Sequence, residues 1–299
     1  MFIITQNVRS LVEKITLELE PWYESRMHAQ RVAWWLLEKL TQKTMSQLVT
    51  TDTISLTHKD HALLTSWITA HTKEYYPLQY ILGTVPFGNL SLCVEPPTLI
   101  PRPETEEWCI NLLKNMLLHL PKETPLHILD LCTGSGCIAL LCAQSFPAAT
   151  VWALDIADTA LQLAKKNAER NNITNVRFLK SDLFNQLNKD ILFDIIISNP
   201  PYIASSVWHE LSQTITRWED RGALVADNNG LALIIHIVNH ATKYLKKDSL
   251  LKKYGLPRLA LEIGYDQKKY VEELFIHAGF NGVKTISDSY DRDRLVIGL

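Results

Sequence analysis

His127-Ile128-Leu129-Asp130-Leu131-Cys132-Thr133-Gly134-Ser135-Gly136 is the stretch that decides the fold. Its apolar start is short, as a buried strand is. A turn with two glycines follows at once, and then an apolar helical stretch from Cys137 to Gln144. Strand, glycine turn and helix in direct succession begin a parallel βαβ unit. Working outward, the alternation continues in both directions. Glu106 to Leu120 reads as the preceding helix. Val151 to Leu154 is the next strand, and Asp158 opens a helix that stops at Asn171-Asn172. Strands at Val176 to Leu179 and Asp194 to Ser198 come next, then a helix at Leu231 to Leu245 and a strand at Leu259 to Ile263. A helix at Tyr270 to Ala278 precedes two last strands, Val283 to Ile286 and Arg294 to Ile297. The pattern predicts an α/β, Rossmann-like, doubly wound sheet, mostly parallel, with the last two strands antiparallel.

The front of the chain has another texture. Apolar residues at helical spacing run from Trp22 to Leu40 and from His61 to His71, with no strand alternation, so residues 1–80 read as a small helical domain. Residues 81–105 read as a linker rich in Pro and Gly, with a hairpin whose one alternating strand is Leu90 to Val94. Residues 106–299 hold the sheet.

With 299 residues, 46% of them hydrophobic and 21% charged, the chain is an ordinary globular protein. A net charge of −2 argues against stable, sequence-independent nucleic-acid binding. No apolar run approaches the ~18 residues of a membrane span, and Met1-Phe2-Ile3-Ile4-Thr5 lacks the basic start of a signal peptide. The five cysteines form no CxxC pair and no metal spacing, which fits reduced thiols in the cytoplasm. The lysines Lys243, Lys246, Lys247, Lys252 and Lys253 read as a solvated face.

The chemistry gathers at strand ends, where open α/β sheets bind ligands. Cys132, Thr133, Gly134, Ser135 and Gly136 form a turn whose backbone can approach a ligand closely. Asp130 at its edge would repel a phosphate but can meet a cationic amine. Asp155 ends the next strand, about 20 residues on, where an acid binds ribose hydroxyls. Asp182 ends the following strand and can reach an adenine amine, with Leu183 or Phe184 flanking the ring. A ligand with an ammonium group, a ribose and an adenine is S-adenosyl-L-methionine.

Asn199-Pro200-Pro201-Tyr202 follows the apolar run Phe193 to Ser198. The two prolines fix φ and remove two backbone donors. What remains is the Asn199 side chain, which also borders the cofactor, and bare carbonyls, that of Pro200 first among them. Such a set of acceptors suits a planar NH2 group. Asn199 and Pro200 are therefore the candidate catalytic groups, and Pro201 and Tyr202 complete the candidate substrate site. Tyr202 either walls the substrate or packs behind the loop. No His or Glu close in sequence offers itself as a base.

These residues make the chain resemble a class I methyltransferase and, more narrowly, the HemK/PrmC family of release-factor glutamine methyltransferases. The resemblance rests on Pro77-Leu78-Gln79-Tyr80-Ile81-Leu82-Gly83, Leu99-Ile100-Pro101-Arg102-Pro103-Glu104-Thr105-Glu106, Asp130 to Gly136 and Asn199 to Tyr202. It implies methylation of the glutamine in the Gly-Gly-Gln motif of peptide chain release factors. It also implies that residues 1–80 dock that protein substrate and that Arg102, Glu104 and Thr105 order a loop at the site. Cys132 stands where the family usually has Gly, and Leu183 where it often has an aromatic. Lys246 to Tyr254 is an extra segment. Two other substrates suit the same acceptors: a glutamine of a ribosomal protein, and the adenine amine of DNA, which would require base flipping and a phosphate-binding surface. A non-catalytic cofactor-binding protein is the remaining alternative.

Overall fold

The computed structural model describes residues 3–299, which divide into two compact units. The first comprises the chain up to Gly83 together with Gln213–Trp218. It holds β1 (Ile3–Asn7), α1 (Val8–Leu19), α2 (Arg26–Thr41), α3 (Met45–Val49), β2 (Thr53–Thr57), α4 (His58–Lys73) and α5 (Leu78–Leu82). The apolar faces of α1 and α2 meet over Val12, Ile15, Val32 and Leu36, all buried. This unit is not purely helical: β1 and β2 pair antiparallel, Ile4 opposite Leu56. The pairing was hidden because the two strands lie far apart in sequence and β2 is only five residues long, with Ser55 between its buried Ile54 and Leu56 and a Thr at either end. The short α9 (Gln213–Thr216) belongs here too, and just after it Trp218 packs edge-on to Tyr76 and Arg217 lies over Tyr75.

The second unit comprises Thr84–Ser212 and Glu219–Leu299. It opens with the hairpin β3 (Thr84–Phe87) and β4 (Leu90–Cys93), then α6 (Pro103–His119). The alternating elements follow as β5 (His127–Leu131), α7 (Cys137–Ser145), β6 (Thr150–Asp155), α8 (Asp158–Arg170), β7 (Val176–Lys180) and β8 (Ile195–Ser198). A small two-stranded sheet of β9 (Ile203–Ala204) and β10 (Val225–Ala226) precedes α10 (Ala232–Tyr244), α11 (Leu250–Lys253), β11 (Leu259–Glu262), α12 (Lys268–His277), β12 (Lys284–Ser287) and β13 (Asp293–Gly298). The main sheet has seven strands in the order β12-β13-β11-β8-β5-β6-β7. Its pairs are parallel except for the two made by β13.

Period-two alternation sends side chains to two cores. Ile128, Ile195, Ile197 and Ala260 face the core under α6 and α7, while Leu129, Leu131, Ile196 and Leu261 face the core under α10 and α12. Every residue of β8 and β11 is buried, as befits central strands with both faces covered. Asp158 is the first residue of α8 and makes no side-chain cap, whereas Asn172 takes the left-handed conformation expected of a stop. Among the described residues no helix is long and apolar enough to cross a membrane.

The extra segment has a structural account. Buried Asp194, just before β8, accepts from the His127 N–H at 2.8 Å, from Lys246 Nζ at 2.7 Å and from Ser249 Oγ at 2.8 Å. Lys246 is therefore paired, and the segment is tied to the edge of the sheet opposite the strand ends described next.

Candidate active site

Strand order reverses between β5 and β8. Chain succession leads from β5 outward through β6 and β7, and from β8 outward through β11. At such a switch point the strand ends leave a crevice. Leu131 pairs with Ser198, and the Ser198 hydroxyl donates to the Leu131 carbonyl at 2.7 Å, so the glycine turn and the Asn-Pro-Pro-Tyr turn emerge side by side.

A cavity of about 330 Å³ lies there. Cys132, Gly134, Asp155, Asp182, Leu183, Asn199 and Pro201 line it, which brings seven of the sequence-derived site residues together. Other walls were missed from sequence, chief among them Pro97 to Leu99, Asp220 with Gly222 and Ala223, and Leu233. The first of these wall segments is a loop and the second a single 3-10 turn, Arg221–Ala223, and neither carries an apolar periodicity. They are tied to each other by Asp220 N–H donating to the Pro97 carbonyl at 2.7 Å, and by Arg102 Nη2 donating to both oxygens of Glu219 at 2.8 and 2.7 Å. Arg102 thus orders the loop bordering the site. Burial pushes the Glu219 carboxyl up, against the pull of Arg102.

The glycine turn divides its labour. Gly134 has φ +55°, and a Cβ on it would meet no atom within 4 Å, so it leaves open room beside the cavity. Its N–H donates to Asp155 Oδ2 at 2.8 Å, while Asp155 Oδ1 accepts from the Ala157 N–H at 2.9 Å. Each carboxylate oxygen keeps lone pairs for further donors. Thr133, Ser135 and Gly136 shape the turn: Thr133 Oγ1 donates to Asp130 Oδ2 at 2.6 Å, the Ser135 carbonyl accepts from Asn167, and Gly136 caps α7. Cys132 holds φ +59°, a conformation glycine adopts freely, which gives the usual glycine a physical reason. The surrounding protein and the nearby carboxylates of Asp155 and Asp130 push its thiol above the ordinary range.

Asp130 lies behind the turn, fully buried, and holds it through Thr133 and through the Ala139 N–H at 3.1 Å. Its Oδ1 has no partner. Burial pushes its pKa up to about 7. The unfolded chain ionises this carboxyl near 3.8, so between about pH 4 and 7 the folded state holds one more proton. Its contribution therefore falls as pH rises through that window. Asp130→Asn is expected to remove this dependence, so that wild-type stability relative to the variant drops by roughly 3 kcal/mol between pH 5 and pH 8. Urea titrations of both proteins without cofactor at the two pH values check it.

At the outer rim, Asp182 is exposed and Leu183 is buried with φ +47°. Phe184 turns from the cavity and stacks on Tyr244 at 4.6 Å and 9°. Of the two residues considered for flanking the ring, the structure puts Leu183 on the cavity wall.

Asn199 also lines a second cavity of about 30 Å³, with Pro200, Pro201, Tyr202 and Arg102. Asn199 and Pro201 are walls of both spaces. The Tyr202 hydroxyl donates to Glu262 Oε1 at 3.0 Å, and its carbonyl accepts from Gln267 Nε2 at 3.0 Å. The Tyr202 ring thus walls the small cavity and also packs against the core under α10 and α12.

A sheet of this order with a glycine turn, a strand-end acid and Asn-Pro-Pro-Tyr meeting at its switch point defines a class I S-adenosylmethionine-dependent methyltransferase. Residues 113–217 match the methyltransferase small domain and residues 24–83 the PrmC N-terminal domain. The release factor glutamine methyltransferase of Aliivibrio fischeri is 40% identical over 222 residues, 74% of this chain and 73% of that one. Its counterpart in Buchnera aphidicola is 34% identical over 296 residues, 99% of this chain and 98% of that one. The chain belongs to the release factor glutamine methyltransferase family. Among solved structures, a methyltransferase from Pyrococcus furiosus shares the fold, with a TM-score of 0.50 at 20% identity over 81% of this chain and 98% of that one.

Proposed function

We propose that this protein transfers a methyl group to the side-chain amide nitrogen of the glutamine in the Gly-Gly-Gln motif of a peptide chain release factor, in the cytoplasm. One observation carries the reading: Asn199 and Pro201 form a common wall between a cavity of cofactor size and a narrow one beside it. Bound in the larger cavity, S-adenosylmethionine supplies an electrophilic methyl group on a sulfonium centre. The residues there suit it. Gly134 leaves room for close backbone approach, Asp155 retains acceptor capacity for ribose hydroxyls and Asp182 can accept from the adenine amine, while behind the turn, off the cavity wall, the partnerless oxygen of buried Asp130 is suited to a cation.

The chain's own part in the reaction is to hold the amide. A carboxamide nitrogen is a weak nucleophile because its lone pair is shared with the carbonyl. Asn199 Oδ1 and the Pro200 carbonyl accept its two hydrogens, polarise the NH2 group and aim the nitrogen at the larger cavity. Positioning of this kind can supply roughly 7–11 kcal/mol when the reacting atoms are close and aligned. Fixed dipoles in a site from which water is excluded add to it. The proton leaves after methyl transfer, so no base is required beforehand. Pro201 and Tyr202 wall the glutamine side chain, and residues 1–80 dock the protein substrate.

Incubation with labelled S-adenosylmethionine and purified release factor tests the reading. Label is expected on the wild-type factor and not on a variant with the motif glutamine replaced. Equal labelling of both, or label on a ribosomal protein or DNA alone, overturns it.

A further inference from the structure

The Asn-Pro-Pro-Tyr turn is anchored to a buried carboxylate that neither cavity exposes. Glu262, the last residue of β11, is 1% exposed. Its Oε2 accepts from Thr105 Oγ1 at 2.6 Å and from Trp108 Nε1 at 2.6 Å, both on α6, and its Oε1 accepts from Tyr202. Asn199 Nδ2 in turn donates to Thr105 Oγ1 at 3.1 Å. A chain of hydrogen bonds therefore runs from Glu262 through Thr105 to Asn199.

We propose that Glu262 and Thr105 are positioning residues for methyl transfer, dictating through one hydroxyl which end of the Asn199 amide faces the reaction. The proposal rests on the role of Asn199 given above. An Asn side chain has an oxygen and a nitrogen of nearly equal size, and only its neighbours decide which way it points. A threonine hydroxyl has one hydrogen. Glu262 Oε2 takes that hydrogen in a short bond. Towards Asn199 the Thr105 oxygen can then only accept, so it selects the NH2 end. Oδ1 is left for the cavity, where an acceptor is needed. A flipped amide would set two lone-pair oxygens against each other at Thr105 and present a donor to the substrate's own NH2. Trp108, which can only donate, keeps Glu262 Oε2 an acceptor. Tyr202 shares the same carboxylate, so both ends of the four-residue turn are referred to one buried group. Burial raises the Glu262 carboxyl, and the bonds from Thr105, Trp108 and Tyr202 oppose the rise.

The test is Thr105→Val, which keeps the shape and removes the hydroxyl. The expected result is a fall in kcat of roughly a hundredfold, with the dissociation constant for S-adenosylmethionine by calorimetry unchanged. Thr105→Ser is expected to restore kcat to within a few-fold. Glu262→Gln, whose oxygen can take the place of Oε2, is expected to do better than Glu262→Leu. In an Asn199→Ala background, Thr105→Val should cost almost nothing further, because it acts only through Asn199. Wild-type kcat in Thr105→Val beside an impaired Asn199→Ala overturns this proposal alone. So does an equal loss from Thr105→Val in both backgrounds, or a parallel loss of cofactor binding. Wild-type kcat in Asn199→Ala itself overturns the role of Asn199, and the relay with it.

Discussion

Replacing Asn199 by Ala is expected to lower kcat by roughly 10²- to 10³-fold while leaving the affinity for S-adenosylmethionine within a few-fold of wild type. The cofactor cavity has many walls, and Asn199 is one of them. The acceptors for an incoming amide are few, and Asn199 carries the one that is a side chain. Its amide is held through the bond that Nδ2 donates to Thr105, which leaves the oxygen aimed, so its loss removes an oriented dipole that solvent cannot replace with the same geometry. The change is felt where the amide nitrogen must be aimed, hence in kcat. Single-turnover rates with release factor, beside calorimetric titration of the cofactor, make the comparison. Equal, large losses in both quantities would assign Asn199 to cofactor binding.

Gly230→Ala is expected to destabilise the protein by roughly 2–4 kcal/mol and to lower kcat by about a hundredfold. Gly230 holds φ +83°, and a Cβ there would lie 2.0 Å from the Tyr202 carbonyl oxygen and 2.6 Å from its carbon. The obstacle is backbone, so no side chain can swing aside. The chain on one side must move, and the Tyr202 side is the end of the Asn-Pro-Pro-Tyr turn. The Gln267 bond to the same carbonyl would be strained with it. Thermal unfolding and steady-state rates check both parts. A variant with the wild-type midpoint and rate would show that this contact does not hold the turn.

The sheet was legible because its central strands are buried on both faces and stand out as unbroken apolar runs, such as Ile195-Ile196-Ile197 between Asp194 and Asn199. The strand-end residues Cys132, Asp155, Asp182 and Asn199 followed from that, since a parallel sheet delivers successive strand ends to one edge. What stayed hidden depends on partners far away in the chain. The β1–β2 pairing joins residues some fifty positions apart. The cavity walls at Pro97 to Leu99 and Asp220 to Ala223 meet through Arg102 and Glu219, neither of which belongs to a periodic element. Phe184 stacks on Tyr244, and no local pattern distinguishes that from stacking on an adenine. Asp194 anchors the segment from Lys246, a contact only the folded chain reveals. Glu262 did leave a signal, an acid inside the apolar run Leu259-Ala260-Leu261-Glu262-Ile263. A buried charge demands hydrogen-bond partners, but its neighbours on Thr105, Trp108 and Tyr202 are more than fifty residues distant.

The central claim is that lone pairs of Asn199 and Pro200 grip the two hydrogens of a carboxamide beside the methyl donor. A crystal structure of the protein with S-adenosylhomocysteine and a Gly-Gly-Gln peptide measures this directly. The account predicts the glutamine amide nitrogen within hydrogen-bond distance of both Asn199 Oδ1 and the Pro200 carbonyl, facing the sulfur of the bound product. An Asn-Pro turn directed away from that sulfur, or a glutamine nitrogen held by other groups, would contradict it.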